Sequence, residues 1–477
     1  MRVKAMFPEF SGKPSQICGV FFFSFLILTA RIQAQTQDKD VLFIRSIYDQ
    51  VLRSGTSYSW LEHISEKICG RIAGSPQSEQ AISFTHTMLD SIGCDTVWNL
   101  PCQVKYWYRG SKRETFSLVS HPDLGNQSFK VLALGGSGAS APKGATGEII
   151  EFKSLDEAKT RNKEIPGKIV YFSRAFDQKH LRTFHAYGGA VDQRVFGPNL
   201  ASKYGATACV IRSMGSRIDP WPHTGVTIFE DSVKRIPAVA LSTQDAEILS
   251  KLIQKGPVKA KVKTYCEDRG LKPSFSVIGE IRGSEFPEEI ILVGGHLDSW
   301  DVGGGAHDDG AGCVQAMEVL HTMIKMNYKP KRTIRCVLFM NEENGLAGGL
   351  SYAKWSNENK EFHLAAIESD AGGFTPLGFN FDADSSMVKS YAQALGKWSE
   401  LLESYDLKIS KGGSGADIGP LKSQKGLLVG LSPDSQRYFE YHHTEADRIQ
   451  AVHPRELSLG TAAMASLIYL IDQYGLQ

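Results

Sequence analysis

Histidine and acidic side chains are concentrated in five short stretches of the second half of the chain. The stretches are 296–298 (HLD), 303–310 (GGGAHDDG), 341–345 (NEENG), 368–373 (ESDAGG) and 441–447 (YHHTEAD). If these stretches meet, their carboxylates raise one another's pKa by repulsion, and a divalent cation removes that conflict. Imidazole nitrogen and carboxylate oxygen without a thiolate suit zinc, with manganese or cobalt as weaker candidates. The residue types therefore predict a metal centre.

The same stretches contain enough ligands for two metal ions and one further carboxylate. A two-metal centre needs a bridging carboxylate, terminal ligands and a carboxylate that acts as a base. The predicted ligands are His296, Asp308, Glu343, Asp370 and His443. Glu342 is then left over as the base. Asp298, two residues after His296, is expected to hold the imidazole ring of that ligand through its carboxylate.

The elements that must position these residues are short apolar strands. The sequence predicts strands in EEIILVGGH, TIRCVLFMN, LAAIESD and LLVGLS, with helices in GCVQAMEVLHTMIK and ELSLGTAAMASLIYLIDQY. Strands that are apolar on both faces and are separated by helices indicate a mostly parallel mixed sheet with helices on both faces. Ligands of open α/β sheets bind at the carboxyl ends of the strands, which is where the predicted metal ligands occur.

A segment in the middle of the chain has a different pattern. Residues 126–268 contain short strands such as GEIIEF, GKIVYF and ACVIRS, separated by glycine, proline and serine. This pattern predicts a small inserted domain. The expected organisation is a first part of the main domain at 35–125, the insert at 126–268, and a second part with the metal site at 269–477.

The first 34 residues are typical of a secretory signal peptide. Basic residues precede a 14-residue apolar run at 17–30, and Ala34 is a small residue suited to cleavage. The run is too short for a comfortable membrane span. We therefore expect a secreted or periplasmic protein with no membrane attachment after cleavage, and a retained N-terminal anchor is the alternative.

Composition excludes several classes of protein. Hydrophobic residues make up 42% and charged residues 22% of the 477 residues, which excludes a mostly disordered or fibrous chain. Lys and Arg number 53 against 52 Asp and Glu, so no basic field is present to bind nucleic acid. The cysteines that follow the signal are scattered and lack CxxC spacing, although Cys94 and Cys102 could close a short loop.

The motifs resemble those of the co-catalytic zinc aminopeptidase and carboxypeptidase family. That family includes bacterial leucyl aminopeptidase, glutamate carboxypeptidase II and carboxypeptidase Q. The resemblance rests on HLDSWDVGGGAHDDGAG, NEENG, ESDAGG and YHHTEAD. The runs PHTG at 222–225 and GGSGADI at 412–418 make the likeness greatest to carboxypeptidase Q. The resemblance begins near Arg71, and residues 126–268 are similar to the family's protease-associated domain.

The resemblance implies a role for each predicted site residue. The implied roles are Asp308 as the bridge, His296 and Asp370 on one zinc, Glu343 and His443 on the other, and Glu342 as the catalytic acid/base. Only one of the adjacent His442 and His443 is expected to reach the metal, because adjacent side chains on an extended loop diverge. The match to the family's His-Thr-x-x-Asp pattern selects His443. Two positions depart from the family pattern: Arg448 follows Asp447 where Thr is usual, and His307 replaces a smaller or apolar residue.

The resulting hypothesis is a di-zinc exopeptidase that hydrolyses dipeptides or short peptides with metal-activated water. An aminopeptidase that removes N-terminal residues is the nearest alternative. A metal-free binding or receptor protein on the same fold, or a single-zinc glutaminyl cyclase, is an alternative of another class. The complete ligand set favours hydrolysis. The expected partner is a short peptide substrate. A homodimer is also considered, but no sequence feature selects an oligomeric state.

Overall fold

The computed structural model describes residues 38–476, and within them sixteen strands form two eight-stranded sheets. The strands are β1 Thr96–Tyr108, β2 Thr115–Leu118, β3 Ser128–Phe129, β4 Val131–Ala133, β5 Ala145–Phe152, β6 Ile169–Phe172, β7 Ala208–Arg212, β8 Ala238–Leu241, β9 Lys259–Lys263, β10 Glu267–Ile281, β11 Phe286–His296, β12 Arg332–Phe339, β13 Phe362–Glu368, β14 Pro376–Asp382, β15 Lys408–Lys411 and β16 Leu427–Pro433. The α-helices are α1 38–54, α2 Ser57–Glu62, α3 Pro76–Ser91, α4 Leu155–Thr160, α5 Thr183–Gly188, α6 Asp192–Val195, α7 Gly197–Lys203, α8 Thr243–Lys255, α9 Ala311–Lys325, α10 Ala347–Glu358, α11 Val388–Gly396, α12 Ser399–Glu403, α13 Tyr438–Tyr441 and α14 Pro454–Tyr474.

The first sheet has the order β1-β10-β12-β11-β13-β16-β14-β15. Its central strands β12, β11, β13 and β16 are parallel, and the pairs β1–β10, β10–β12 and β14–β16 are antiparallel. The central strands are buried along nearly their whole length, because helices such as α9, α10 and α14 pack against this sheet. The predicted mixed α/β fold is confirmed.

The second sheet has the order β3-β2-β9-β5-β6-β7-β8-β4, and its strands β5 to β8 are parallel neighbours. All of its strands lie between Thr115 and Lys263. Strand β2, which the sequence assigned to the first part of the main domain, pairs with β9 in this second sheet. The separate status of 126–268 as a protease-associated domain stays a prediction.

Parallel pairing brings three strand ends of the first sheet to one edge. His296 at the end of β11 is in register with Phe339 at the end of β12, and Gly294 is in register with Glu368 at the end of β13. The residues that follow these ends therefore share one edge of the sheet. This edge carries the predicted metal ligands.

The predicted signal peptide and the possible loop between Cys94 and Cys102 have different outcomes. The predicted signal peptide at 1–34 lies outside the described residues. Within 38–476, no helix is both long enough and apolar enough to cross a bilayer. Cys94 and Cys102 are both free thiols, so the short disulfide loop that their spacing allowed is not formed.

Candidate metal centre

One group of predicted ligands meets at the end of β11. His296 Nε2 lies 3.3 Å from Asp308 Oδ1 and 3.5 Å from Asp370 Oδ1. His296 Nδ1 lies 3.0 Å from the carbonyl oxygen of Asp298. Because a carbonyl oxygen only accepts, Nδ1 carries a proton, and in the neutral ring the lone pair is on Nε2, which faces the two carboxylates. One nitrogen and two carboxylates can hold a metal ion here.

The other carboxylate oxygen of Asp308 faces a second group. Asp308 Oδ2 lies 3.2 Å from His443 Nε2, and that nitrogen lies 3.1 Å from Glu343 Oε2. Asp308 is 5% exposed, and its Oδ2 has no hydrogen-bond partner among the described residues. One buried carboxylate therefore lies between two sets of nitrogen and oxygen donors, with one oxygen toward each.

The two adjacent histidines of the last motif do not diverge. The rings of His442 and His443 are stacked, with centroids 3.5 Å apart and planes inclined by 21°. The expectation of divergent side chains is wrong, because His443 has a φ of 62° and the chain there is not extended. His442 Nε2 lies 3.8 Å from Asp308 Oδ2, whereas His443 Nε2 is closer and also contacts Glu343.

Asp298 contacts the centre in a different way from the one expected. Its carbonyl oxygen accepts from the His296 ring, and its carboxylate Oδ1 is 3.8 Å from the same Nδ1. The carboxylate instead accepts from the backbone N–H groups of Asn341, Glu342 and Glu343 at 2.7, 3.0 and 3.4 Å. Asp298 thus orients the loop that carries the two glutamates, as well as the ring.

The neighbouring glutamates have different surroundings. Glu343 Oε1 accepts from the backbone N–H of Trp300 at 3.0 Å, so its other oxygen is aimed at His443. The carboxylate of Glu342 accepts no hydrogen bond within residues 38–476. Burial raises the pKa of Glu342 well above its usual value, and the carboxylates of Asp370 and Glu343 raise it further. One oxygen of Glu343 is thus held and the other faces His443, whereas the carboxylate of Glu342 is not held by a hydrogen bond from the described residues.

The protonation behaviour of the cluster fits divalent cations. Burial alone would lower the pKa of His296, but Asp308 and Asp370 raise it well above its usual value. Burial also opposes protonation of His443, yet Glu343 and Asp308 raise its pKa to about 9. Both imidazoles therefore bind protons in front of carboxylates, and a cation can replace those protons. Nitrogen and oxygen donors around an unpartnered carboxylate oxygen suit zinc.

Several residues that support the centre were missed by the sequence reasoning. Asp447 accepts from the backbone N–H groups of His307 and Asp308 at 2.7 and 3.1 Å, which fixes the loop that carries Asp308. Asp309 accepts from the backbone N–H of His296 at 3.0 Å. Buried Arg71 donates to three carbonyl oxygens of the 297–305 loop. Asp447 and Asp309 lie inside the motifs that the sequence analysis recognised. Their place in those motifs is the only sequence signal that could have predicted their supporting contacts.

The two departures from the family pattern lie away from the donor atoms. His307 is fully buried and stacks on Phe374 with centroids 4.1 Å apart, while its Nδ1 accepts from Gly373 N. Burial lowers the pKa of His307 to about 4, so the ring is neutral. Arg448 is exposed and donates to the carbonyl oxygen of Glu445. Neither residue replaces a predicted ligand.

A cleft opens beside the centre. Its volume is about 1090 Å³, and Asp370 and Glu368 form part of its wall. Phe184, Lys408 and Ser414 line other parts of it. A cavity of this size is sufficient for a short peptide.

The chain is similar to known peptidases over most of its length. Residues 276–468 match the model of peptidase family M28. Carboxypeptidase Q of Homo sapiens is 32% identical over 422 residues, which cover 87% of this chain and 85% of that protein. Carboxypeptidase Q of Bos taurus is 31% identical over the same length and coverage.

Solved structures agree with these sequence similarities. The crystal structure of a peptidase M28 precursor from Shewanella amazonensis has a TM-score of 0.85 and 30% identity, and covers 91% of this chain and 97% of that one. A zinc aminopeptidase from Bacillus subtilis has a TM-score of 0.62 and 18% identity, with 87% and 94% covered. At that identity the second likeness concerns the fold alone.

Proposed function

The chain belongs to peptidase family M28, and we propose that it is a di-zinc exopeptidase that hydrolyses dipeptides or short peptides. The observation that carries the proposal is Asp308, which presents one oxygen to each of two donor groups. A single-metal site would not need this arrangement, because the second donor group would have no cation to bind. The complete set also argues against a metal-free receptor.

The proposed ligands follow the two donor groups. We assign His296 and Asp370 to one zinc, Glu343 and His443 to the other, and Asp308 to both. The assignment is supported by the distances of 3.1–3.5 Å among their nitrogen and oxygen atoms. Zinc, when bound, polarises a peptide carbonyl and makes water acidic enough to attack near neutral pH.

Glu342 is the proposed acid/base. Its carboxylate would take the proton of the attacking water and pass it to the leaving amine. Two features support this role. Burial and neighbouring carboxylates raise its pKa, which favours the uptake of a proton, and its carboxylate is not held by a hydrogen bond within the described residues. Asp298 fixes the main chain of Glu342 and leaves the side chain free.

We propose carboxypeptidase Q-like dipeptidase activity as the more specific function, by analogy with the relatives that cover most of the chain. The competing polarity is that of an aminopeptidase. A panel of dipeptides with free, N-acetylated and C-amidated ends tests this choice. Cleavage that requires both free ends supports a dipeptidase, whereas cleavage that tolerates a C-terminal amide and requires a free amine indicates an aminopeptidase.

Export through the N-terminal signal and assembly as a homodimer are two further proposals, and each has its own test. Cleavage after the signal at 1–34 is checked by N-terminal sequencing of the protein recovered outside the expressing cells. A homodimer is checked by the molar mass in solution from light scattering.

A further inference from the structure

Three large apolar side chains are exposed in the wall of the cleft beside the metal centre. Leu181 is 86% exposed, Phe184 is 41% exposed and Leu377 is 51% exposed. Leu181 precedes α5, Phe184 lies on α5, and Leu377 lies on β14. Apolar surface that faces water costs free energy, and apolar surface gathered in a concave site marks a place where a ligand binds. The cleft therefore offers apolar surface that the protein's own packing does not cover.

The apolar side chains beside α5 are held in the cleft wall by residues that follow β16. The carbonyl oxygen of Leu181 accepts from Gln436 Nε2 at 2.9 Å. The ring of Phe184 stacks on that of Tyr438, with centroids 5.4 Å apart and planes inclined by 18°. These contacts fix the main chain of Leu181 and one face of the Phe184 ring, and they leave both side chains exposed. The exposed apolar surface therefore has a fixed position beside the centre.

Another part of the cleft wall is a loop with almost no side chains. Residues 412–415 (GGSG) line the cleft and begin the GGSGADI run that the sequence analysis singled out. A Cβ atom built on Gly413 would meet no atom of another part of the chain within 4 Å. The loop therefore leaves open space in which the side chain of a ligand can fit.

The charged residues of the cleft do not favour a ligand of either sign. Toward the metal centre the wall contains Glu368 and Asp370, of which Asp370 is a proposed ligand. The remaining charged residues are three basic and three acidic ones, namely Arg182, Lys408, Lys411, Glu403, Asp406 and Asp434. Equal numbers of opposite charges largely cancel, and salt screens what is left. The apolar surface is therefore the feature that selects a ligand.

We propose that this cleft binds one large apolar side chain of the substrate, such as that of leucine, methionine or phenylalanine. The inference rests on the proposed peptidase function of the metal centre. Asp370 belongs both to the centre and to the cleft wall, so a peptide whose carbonyl lies at the centre can place an adjoining side chain in the cleft. Binding then removes apolar surface of both partners from water. The preferred substrates are dipeptides with at least one large apolar residue.

The first test compares dipeptides of serine in which the other residue is glycine, alanine, leucine, phenylalanine, aspartate or lysine. Each of these residues is placed first in one peptide and second in another. A single methylene group in an apolar pocket changes kcat/KM by roughly 10-fold or more. We therefore expect leucine and phenylalanine at one of the two positions to exceed glycine by at least about 10-fold, with no such gain for aspartate or lysine.

Gly413→Leu fills the open space directly, because the added side chain enters a region without neighbours. We expect KM for the leucine and phenylalanine dipeptides to rise about 10-fold, and KM for the glycine dipeptide to change by less than about twofold. Gly396→Leu is the matched control. A Cβ atom on Gly396 also meets no atom within 4 Å, but this residue ends α11 and does not line the cleft. The control should retain the wild-type values for every dipeptide.

Leu181→Asn removes apolar surface without emptying a packed site, because the side chain of Leu181 is 86% exposed. The change should lower the ratio of kcat/KM for leucine over glycine dipeptides and leave zinc content and the unfolding temperature unchanged. Leu271→Asn is its control, since Leu271 is 67% exposed on β10 and does not line the cleft. If Gly413→Leu does not fold, this second pair of variants gives the result.

Three results would overturn the proposal. The first is wild-type turnover that does not depend on apolar size at either position. The second is a preference for aspartate or lysine, which would assign the cleft to its charged residues. The third is an equal loss for all dipeptides in Gly413→Leu, glycine included, which would make the loop a control on access to the centre. A failure of the peptidase function itself is distinct, because the zinc-loaded protein would then hydrolyse no dipeptide of the panel.

Discussion

Replacing Glu342 with glutamine separates the proposed base from the neighbouring ligand. Glutamine has nearly the same shape, and the main-chain hydrogen bond from residue 342 to Asp298 is retained. The change therefore removes the proton-accepting group and leaves the loop in place. We expect a folded protein with its full zinc content and very low turnover.

The structure indicates how large the loss should be. General acid–base catalysis contributes roughly 10²–10⁴-fold to a rate. The carboxylates of Glu343 and Asp370, which lie close enough to raise the pKa of Glu342, are engaged elsewhere, because Glu343 is held by Trp300 N and faces His443, and Asp370 faces His296. We therefore expect kcat to fall about 10³–10⁴-fold, which corresponds to roughly 4 to 5.5 kcal/mol of transition-state stabilisation.

The assay is dipeptide turnover at saturating substrate, with zinc measured on the same sample. Glu343→Gln is the matched variant, since it makes the same chemical change one residue further along the loop. It should be depleted of metal, because its carboxylate is a proposed ligand. Loss of zinc in Glu342→Gln, combined with two retained ions and reduced kcat in Glu343→Gln, would exchange the two roles and refute the reasoning.

Three further predictions concern the metal centre. Elemental analysis of protein purified without chelator should give close to two zinc equivalents, and full activity with one would contradict the bridging role of Asp308. His443→Ala should lose metal and activity, whereas His442→Ala should mainly raise KM, and the reverse pattern would move the assignment by one residue. The chelator-treated protein should become less stable between pH 6.5 and pH 9, above the range in which buried histidines with lowered pKa values oppose the trend, as followed by its unfolding temperature. The pKa of His443, raised to about 9, stabilises the fold fully below pH 6.5, and this stabilisation is lost as pH rises through 9. The pKa of Glu343, raised to about 7, adds a loss of folding stability that grows above pH 4.5. A flat or rising profile in that range would contradict these shifts.

Much of the candidate site could be predicted because its signals are local. An apolar strand followed at once by His296, or by the 341–345 stretch, indicates a strand end with polar residues. Parallel strands bring such ends to one edge, so the ligand types and their grouping follow from sequence and simple sheet geometry. The fold class follows from the same alternation of strands and helices.

The contacts between individual atoms could not be predicted in this way. Whether the rings of His442 and His443 diverge or stack depends on one backbone dihedral, the φ of 62° at His443. Whether Asp298 uses its carbonyl or its carboxylate depends on the path of the 341–343 loop. Neither the φ of His443 nor the path of the 341–343 loop can be deduced from residue types or their spacing.

The sequence by itself determined that the chain has strand ends carrying metal-ligating residue types and that it matches the motifs of a known peptidase family. Only the tertiary structure decided which atoms meet, because contacts such as that of Asp447 with the main chain of Asp308 join segments 139 residues apart. Local patterns record which face of an element is apolar and where the element ends. The orientation of a ring or carboxylate at a shared edge is set by the packing of distant segments around it, which exists only in the folded chain.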